Sequence, residues 1–300
     1  ALASRRKGAP EYVIDADLCD EPGILHRVIV GNYVLGRERL VIKASGRVKS
    51  DHLEEARNAA RRLMGMGIIE ETASRITLQC SIEPTKYPVD ALIKRLYNLS
   101  STMLDEAIEA LLTKDERLAQ DALHREDDAD TMYWLLLRLL LSAQADDSLI
   151  EQLGLRNRLE ITGYRLIAKE LETVADYGEE IARNVIDLIR SNAEVPTGLG
   201  KSLRDLAEGV RDVYSKGIGG LLSRDLKLAN QAIVSREEMK RKEQKFMKVL
   251  FEEIEEPTVL LRFRNIVDGV QRMADYGTSI AVIAFNRYLE RPTNLCKPSA

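Results

Sequence analysis

Carboxylates recur at helical spacing in two stretches of this chain: Glu126, Asp127, Asp128 and Asp130 in one, Glu172 and Asp176 in the other. Residues three and four apart share a helix face, so Asp127 stands with Asp130 and Glu172 with Asp176. Carboxylates gathered without a matching lysine or arginine repel, and either a raised pKa or a bound cation relieves them. The chemistry open to this set is oxygen coordination of a hard cation such as Mg²⁺, Mn²⁺, Ca²⁺ or iron. The plainer reading is a solvated acidic face with Arg125, Arg158 and Arg165 as casual partners. Both readings stand at this level.

For the two groups to meet, their helices must be antiparallel neighbours. The stretch from Asp127 to Ser142, where its helix is expected to end, is nearly as long as the stretch from Leu159, where the next begins, to Asp176. The acidic pairs are thus expected at similar heights. These helices belong to a duplicated unit. KELETVADYGEEIA around Asp176 returns as DGVQRMADYGTSIA around Asp275, and LLTKDERLAQDALHREDD from Leu111 returns as LLSRDLKLANQAIVSREE from Leu221. Self-similarity at this scale marks tandem copies of one architecture. The copies differ in their acids. Asp176 matches Asp275 and Asp127 matches Glu237, but Asp130 matches Lys240 and Glu172 matches Gln271. A metal site is expected mainly in the first copy, with Glu126, Glu237 and Asp275 as weaker ligand candidates. An ammonium at Lys240 is expected to neutralise Glu237 and Asp275.

Beyond Pro84 and Pro88, apolar residues recur every three or four positions, which predicts helices over 89–112, 116–142 and 159–191, then 202–222, 227–252 and 258–288. Between the copies, SNAEVPTGLGK reads as a break made by Pro196, Gly198 and Gly200. Residues 1–84 differ in style. Strand-like runs start at Tyr12 and Arg39, helical spacing covers Glu21 to Leu35, Ser50-Asp51 offers a helix start, and IIEETASRITLQCSI reads as two strands about a polar turn. The expected fold is mostly α: a small α+β domain at 1–84, two antiparallel three-helix bundles at 88–192 and 198–290, and a tail at 291–300.

With 45 % hydrophobic residues, 300 residues are enough for two or three cores. Forty-four basic against 48 acidic side chains leave a net charge of −4, which argues against nucleic-acid binding by bulk charge. Cys19, Cys80 and Cys296 form no metal or disulfide pattern and fit a reducing, cytoplasmic setting. The run MYWLLLRLLLSA from Met132 is too short to span a bilayer and is interrupted by Arg138, so no membrane insertion is expected and Tyr133 and Trp134 read as core. A first residue of Ala1 reads as a processed or truncated chain.

At the repeated acids the chain resembles the PhoU family of phosphate-uptake regulators. Its members are tandem three-helix bundles with an E/D-x-x-x-D signature in a helix reading like LERIADHAxNIAE. LETVADYGEEIA from Leu171 is similar to that motif through Glu172 and Asp176, VQRMADYGTSIA keeps Asp275, and Asp127 to Asp130 match the family's spaced acids. Tyr177-Gly178 and Tyr276-Gly277 stand where the family has His or Asn. ARRLMGMGIIEETASRITLQC from Ala60 is similar to archaeal PhoU-like proteins that begin with an AbrB/SpoVT-type DNA-binding domain, which is not visible here. The resemblance implies a cytoplasmic regulator whose partner is a phosphate transporter or signalling protein, with DNA contacted only through a domain missing from this chain. It also implies iron, zinc or magnesium on the bundles in some members, and a homodimer is among the expectations.

The alternative reading is a metal-dependent enzyme or metal store built on the first copy's acids. His26, His52 and His124 form no ExxH pattern, which speaks against a ferritin-like di-iron centre. No Ser-His-Asp or Cys-His arrangement is legible, so no catalytic residue is expected. Gly217, Gly219 and Gly220 sit in a helical pattern with no preceding strand, and are expected to permit close helix packing rather than to cradle a phosphate.

Overall fold

The computed structural model describes residues 10–299. The segment ahead of Pro10, where no DNA-reading domain is legible, and Ala300 at the end of the tail lie outside those residues. The chain divides into two compact units. One comprises the described residues up to Leu92 together with Asp130–Thr162, the other Ile93–Ala129 and Gly163 onward.

The first unit is built on a four-stranded sheet. Strands β1 (Glu11–Asp15), β2 (Arg39–Lys43), β3 (Met66–Glu71) and β4 (Arg75–Cys80) lie in the order β1-β2-β4-β3. β1 and β2 are parallel, joined by helix α1 (Ile24–Val34), and β4 is antiparallel to both neighbours. Helix α2 (Ser50–Arg62) returns the chain to β3. It begins at Ser50 itself, with Lys49 as the capping position, so the expected Ser50 cap is displaced by one residue. Alternation along β4 explains its seat: Ile76, Leu78 and Cys80 are buried with Leu25, Ile29, Tyr33, Ile42, Ala56 and Ala59. On the opposite face Arg75 pairs with Glu70 at 3.1 Å and Arg39 with Glu11 at 3.1 Å. Gly65 ends the α2 turn at φ +74°, where a Cβ would come within 2.9 Å of the Ser81 carbonyl.

The same unit takes in the distal half of helix α4 (Glu116–Ala145), whose Trp134 packs against the sheet's core. Arg138, which interrupts the apolar run in the sequence, is buried there and has a structural task. Its guanidinium donates to the carbonyls of Tyr33 (2.6 Å), Arg37 (3.0 Å) and Gly36 (3.0 Å) at the end of α1. A short helix α5 (Ser148–Gln152), not foreseen from the sequence, follows α4.

The second unit holds the duplicated helices apart from the distal half of α4 and the first residues of α3 and α6. α3 (Val89–Thr113), α4 and α6 (Leu159–Arg190) make the first three-helix set, and α7 (Thr197–Ser223), α8 (Leu226–Glu253) and α9 (Pro257–Tyr288) the second. Along α6, Ile167, Leu171, Val174, Ala175, Ile181 and Val185 are buried at three- and four-residue spacing, as a core-facing helix requires. The duplication extends to backbone detail. Lys114 and Arg224, at equivalent positions in the two copies, both take a left-handed φ, of 56° and 55°. Each is followed by an aspartate that caps the next helix, Asp115 receiving the Leu118 N–H at 3.1 Å and Asp225 the Leu228 N–H at 3.2 Å.

The link between the copies is shorter than expected. α7 starts at Thr197 behind the capping residue Pro196, so Gly198 and Gly200 lie inside its first turns and only Pro196 acts as a boundary. The glycines further along α7 do permit close packing. A Cβ on Gly217 would collide with the carbonyl oxygen of Gly277 in α9, and one on Gly220 would come within 2.8 Å of Ala229 in α8.

Candidate functional site

The acidic residues occupy the helix faces that their spacing dictates. Asp127 and Asp176 are exposed, Glu126, Asp130 and Glu172 are half-buried. Asp130 belongs to the first compact unit; the other four belong to the second. None of them is idle. Glu172, its side chain only 12 % exposed, pairs with Lys169 one turn earlier, and Glu126, Asp127, Asp130 and Asp176 all interact with neighbouring groups. Among the described residues no group of three or more His, Cys, Asp or Glu side chains is placed to hold a metal ion. A hard ion needs several oxygens at coordination distance together, and Glu172 already has an ammonium as its counter-ion.

Two of the three arginines expected as casual partners pair with other acids. Arg125 makes a two-pronged pair with Glu106 of α3 at 2.7 and 2.6 Å, and Arg158 pairs with Asp147 at 2.6 Å. Lys169, one turn ahead of Glu172 in the sequence, was the legible signal that the acidic face carries its own cation.

The second copy neutralises its acids by a different residue from the one expected. Arg236, which stands where the first copy has Glu126, donates through Nε to Asp275 at 2.5 Å and through Nη1 to Gln271 at 3.0 Å. Its side chain is only 12 % exposed. Gln271 is buried and passes a hydrogen bond on to the Met239 carbonyl at 3.2 Å. Lys240 does pair with Glu237, at 3.2 Å, but on the surface. The ammonium therefore pairs with Glu237, and the guanidinium is what occupies Asp275. One face of the duplicated architecture is thus acidic in the first copy and closed by an arginine in the second.

The tyrosines that follow the repeated aspartates join the copies. Tyr177 of α6 and Tyr276 of α9 lie with ring centroids 6.1 Å apart. Along the same seam Arg262 of α9 donates to Asn184 Oδ1 at 3.2 Å and pairs with Asp187 at 2.8 Å, while Ser279 donates to Glu170 at 2.5 Å. Burial pushes the Glu170 carboxyl above its ordinary range, partly opposed by that hydroxyl. These positions therefore build the α6–α9 seam.

Residues 93–185 match the family model described as the PhoU domain. In structure the chain is similar to PhoU from Pseudomonas aeruginosa at a TM-score of 0.55 and 18 % identity, over 66 % of this chain and 93 % of that one. It is likewise similar to the phosphate transport system regulatory protein PhoU from Streptococcus pneumoniae at 0.55 and 15 %, over 65 % and 91 %. At such identities the likeness is one of fold. No curated protein matches in sequence.

Proposed function

Starting from the PhoU domain at residues 93–185, we propose that this chain is a cytoplasmic, non-enzymatic regulator of phosphate uptake that acts by contact with a phosphate transporter or its signalling partner. The match carries the reading because it falls on the first helix set, the copy whose face bears Glu126, Asp127, Glu172 and Asp176. The duplicated fold supports it, as does the similarity to a protein titled a phosphate transport system regulatory protein. Among the described residues, no helix is long and apolar enough to cross a membrane.

In this reading the two copies divide the work. The acidic face is the partner-contact surface, and the second copy, with Arg236 folded over Asp275, stiffens the assembly. Deleting the gene should leave uptake of labelled phosphate high in phosphate-replete cells, and complementation with an Asp127→Asn/Asp176→Asn chain should restore repression poorly while the wild-type chain restores it fully. Unchanged uptake on deletion would sink the reading.

A hard cation on Asp127, Asp130, Glu172 and Asp176 is a separate proposal. Because Glu172 already holds Lys169, occupancy requires that pair to part, so binding is expected to be weak and metal lost on desalting. Adding Mn²⁺ to about a hundredfold excess over its Kd should stabilise the folded chain by about 2.7 kcal/mol, visible as a raised melting temperature that Glu172→Gln and Asp176→Asn remove. A melting temperature indifferent to Mn²⁺ in all three proteins refutes it.

A further inference from the structure

The α+β unit contains a second charged feature, opposite in sign and unrelated to the repeated acids. Between α1 and α2 lies a cleft of about 590 Å³ lined by Gly23, His26, Arg27, Glu55, Asn58 and two arginines of the last α2 turn, Arg61 and Arg62. Arg62 has a partner of its own, and four other arginines of this unit are engaged too. Arg37 lies over the Tyr12 ring at 4.0 Å, Arg39 pairs with Glu11, Arg57 with Glu71 at 2.9 Å, and Arg75 with Glu70. Arg27 and Arg61 enter no ion pair among the described residues. Both are exposed, and both border the cleft.

The cleft's one carboxylate is already spent on the backbone. Glu55 reaches across from α2, its two oxygens accepting the Gly23 and His26 N–H groups at 2.8 Å each. This resident anion caps α1; it keeps its charge, but it makes its hydrogen bonds to the backbone and forms no ion pair with Arg27 or Arg61. Asn58 accepts a hydrogen bond from Arg61, which steadies that head at the rim. Gly23, at φ +82°, lets the Arg27 guanidinium close over the chain: a Cβ there would come within 2.8 Å of its Nη1. Two guanidiniums without an ion-pair partner thus border the cleft.

We propose that this cleft binds a phosphorylated small metabolite, with Arg27 and Arg61 on the phosphate. A phosphomonoester is a doubly charged anion near neutral pH and presents three oxygens that match the guanidinium fork, so one phosphate can take Arg27 and Arg61 together, whereas a carboxylate's two oxygens serve a single fork. The volume lies within the span of small-molecule sites, about 300–1,000 Å³, and far exceeds what inorganic phosphate fills, so the organic part of the ligand occupies the remainder beside His26 and Asn58. The cleft lies outside residues 93–185, and the proposal does not rest on the phosphate-uptake reading.

The test is calorimetric titration of the full chain with AMP, glucose 6-phosphate and inorganic phosphate, with adenosine, glucose and sulfate as controls. A phosphomonoester should bind more tightly than inorganic phosphate or sulfate, and the unphosphorylated controls should give no heat. Arg27→Gln and Arg61→Gln should each weaken binding by about tenfold, the loss of one charge-assisted hydrogen bond. Arg57→Gln removes the same charge from the same helix at a position outside the cleft, and should leave affinity within about threefold. The proposal is overturned if no phosphate compound binds at about 1 mM, if sulfate binds as well as the phosphomonoesters, or if Arg57→Gln weakens binding as much as Arg61→Gln.

Discussion

Gly217→Ala is expected to lower the stability of the helical unit by about 2–4 kcal/mol, although alanine is the better helix former by about 1 kcal/mol. The new Cβ would fall on the carbonyl oxygen of Gly277, and Gly277 in turn leaves only 2.8 Å between its own absent Cβ and the Tyr214 Cα. Both obstacles are backbone, so no rotamer change relieves them. α7 and α9 must separate, and the contacts beside them loosen together, including the tilted Tyr97–Tyr214 pair and the 2.9 Å hydrogen bond between Tyr214 and Ser100. For a unit of this size the loss corresponds to a fall in melting temperature of roughly 5–15 °C, followed by circular dichroism at the helical minimum. Gly31→Ala is the control. Gly31 is exposed in α1 with nothing within 4 Å of the added carbon, so there the substitution should stabilise by about 0.5–1 kcal/mol. Equal responses at the two glycines would show that α7 and α9 do not approach as described.

The contrast explains how far the sequence could be read. Helices were legible because a stripe such as Ile167, Leu171, Val174 and Ile181 writes its period directly into the chain, and observed bounds differ from expected ones by a few residues. The duplication was legible for the same reason: Asp115 and Asp225 are caps in both copies, and local capping chemistry does not depend on the rest of the fold. Partners across helices were less so. Lys240 was the evident cation near the second copy's acids, but a lysine at i, i+3 from Glu237 finds that neighbour first, while Arg236, one position before Glu237, points at α9. Helix phase decides such a choice, and one residue is a turn of about 100°. The candidate acids lie on the expected helices, but Glu172 takes Lys169 at i−3 as its partner, a pairing that acid-to-acid spacing does not display. Gly198 and Gly200 misled in the opposite sense: glycine marks an end when it needs positive φ, and in the first turns of α7 it does not.

Arg138 is where a charge in an apolar run conceals most, and its removal is expected to have the largest effect in the sheet-bearing unit. Its guanidinium is buried, holds three carbonyls at the C-terminal end of α1, and lies 4.9 Å from the centroid of the fully buried Tyr33 ring. Carbonyls at the end of a helix carry the negative end of its dipole; Tyr33 already accepts the Gly36 N–H at 3.0 Å, and one planar cation with several donors serves it together with the Gly36 and Arg37 carbonyls just beyond the helix. Arg138→Met fills similar volume but takes the guanidinium donors from the Gly36 and Arg37 carbonyls and leaves Tyr33 only its backbone partner in a desolvated place, at a cost of about 3–5 kcal/mol. Arg138→Lys should recover part of that, since an ammonium keeps the charge but cannot reproduce the fork. Trp134, the chain's only tryptophan, packs against the same core one turn earlier on α4, so its fluorescence reports this unit specifically. The expected result is a Trp134 unfolding midpoint that falls in the order wild type, Arg138→Lys, Arg138→Met, with a smaller shift in the helical signal. Should Arg138→Met unfold at the wild-type midpoint, the hydrogen bonds to Tyr33, Gly36 and Arg37 contribute nothing net, and the attachment of α4 to the sheet's core rests on Trp134 and its apolar neighbours alone.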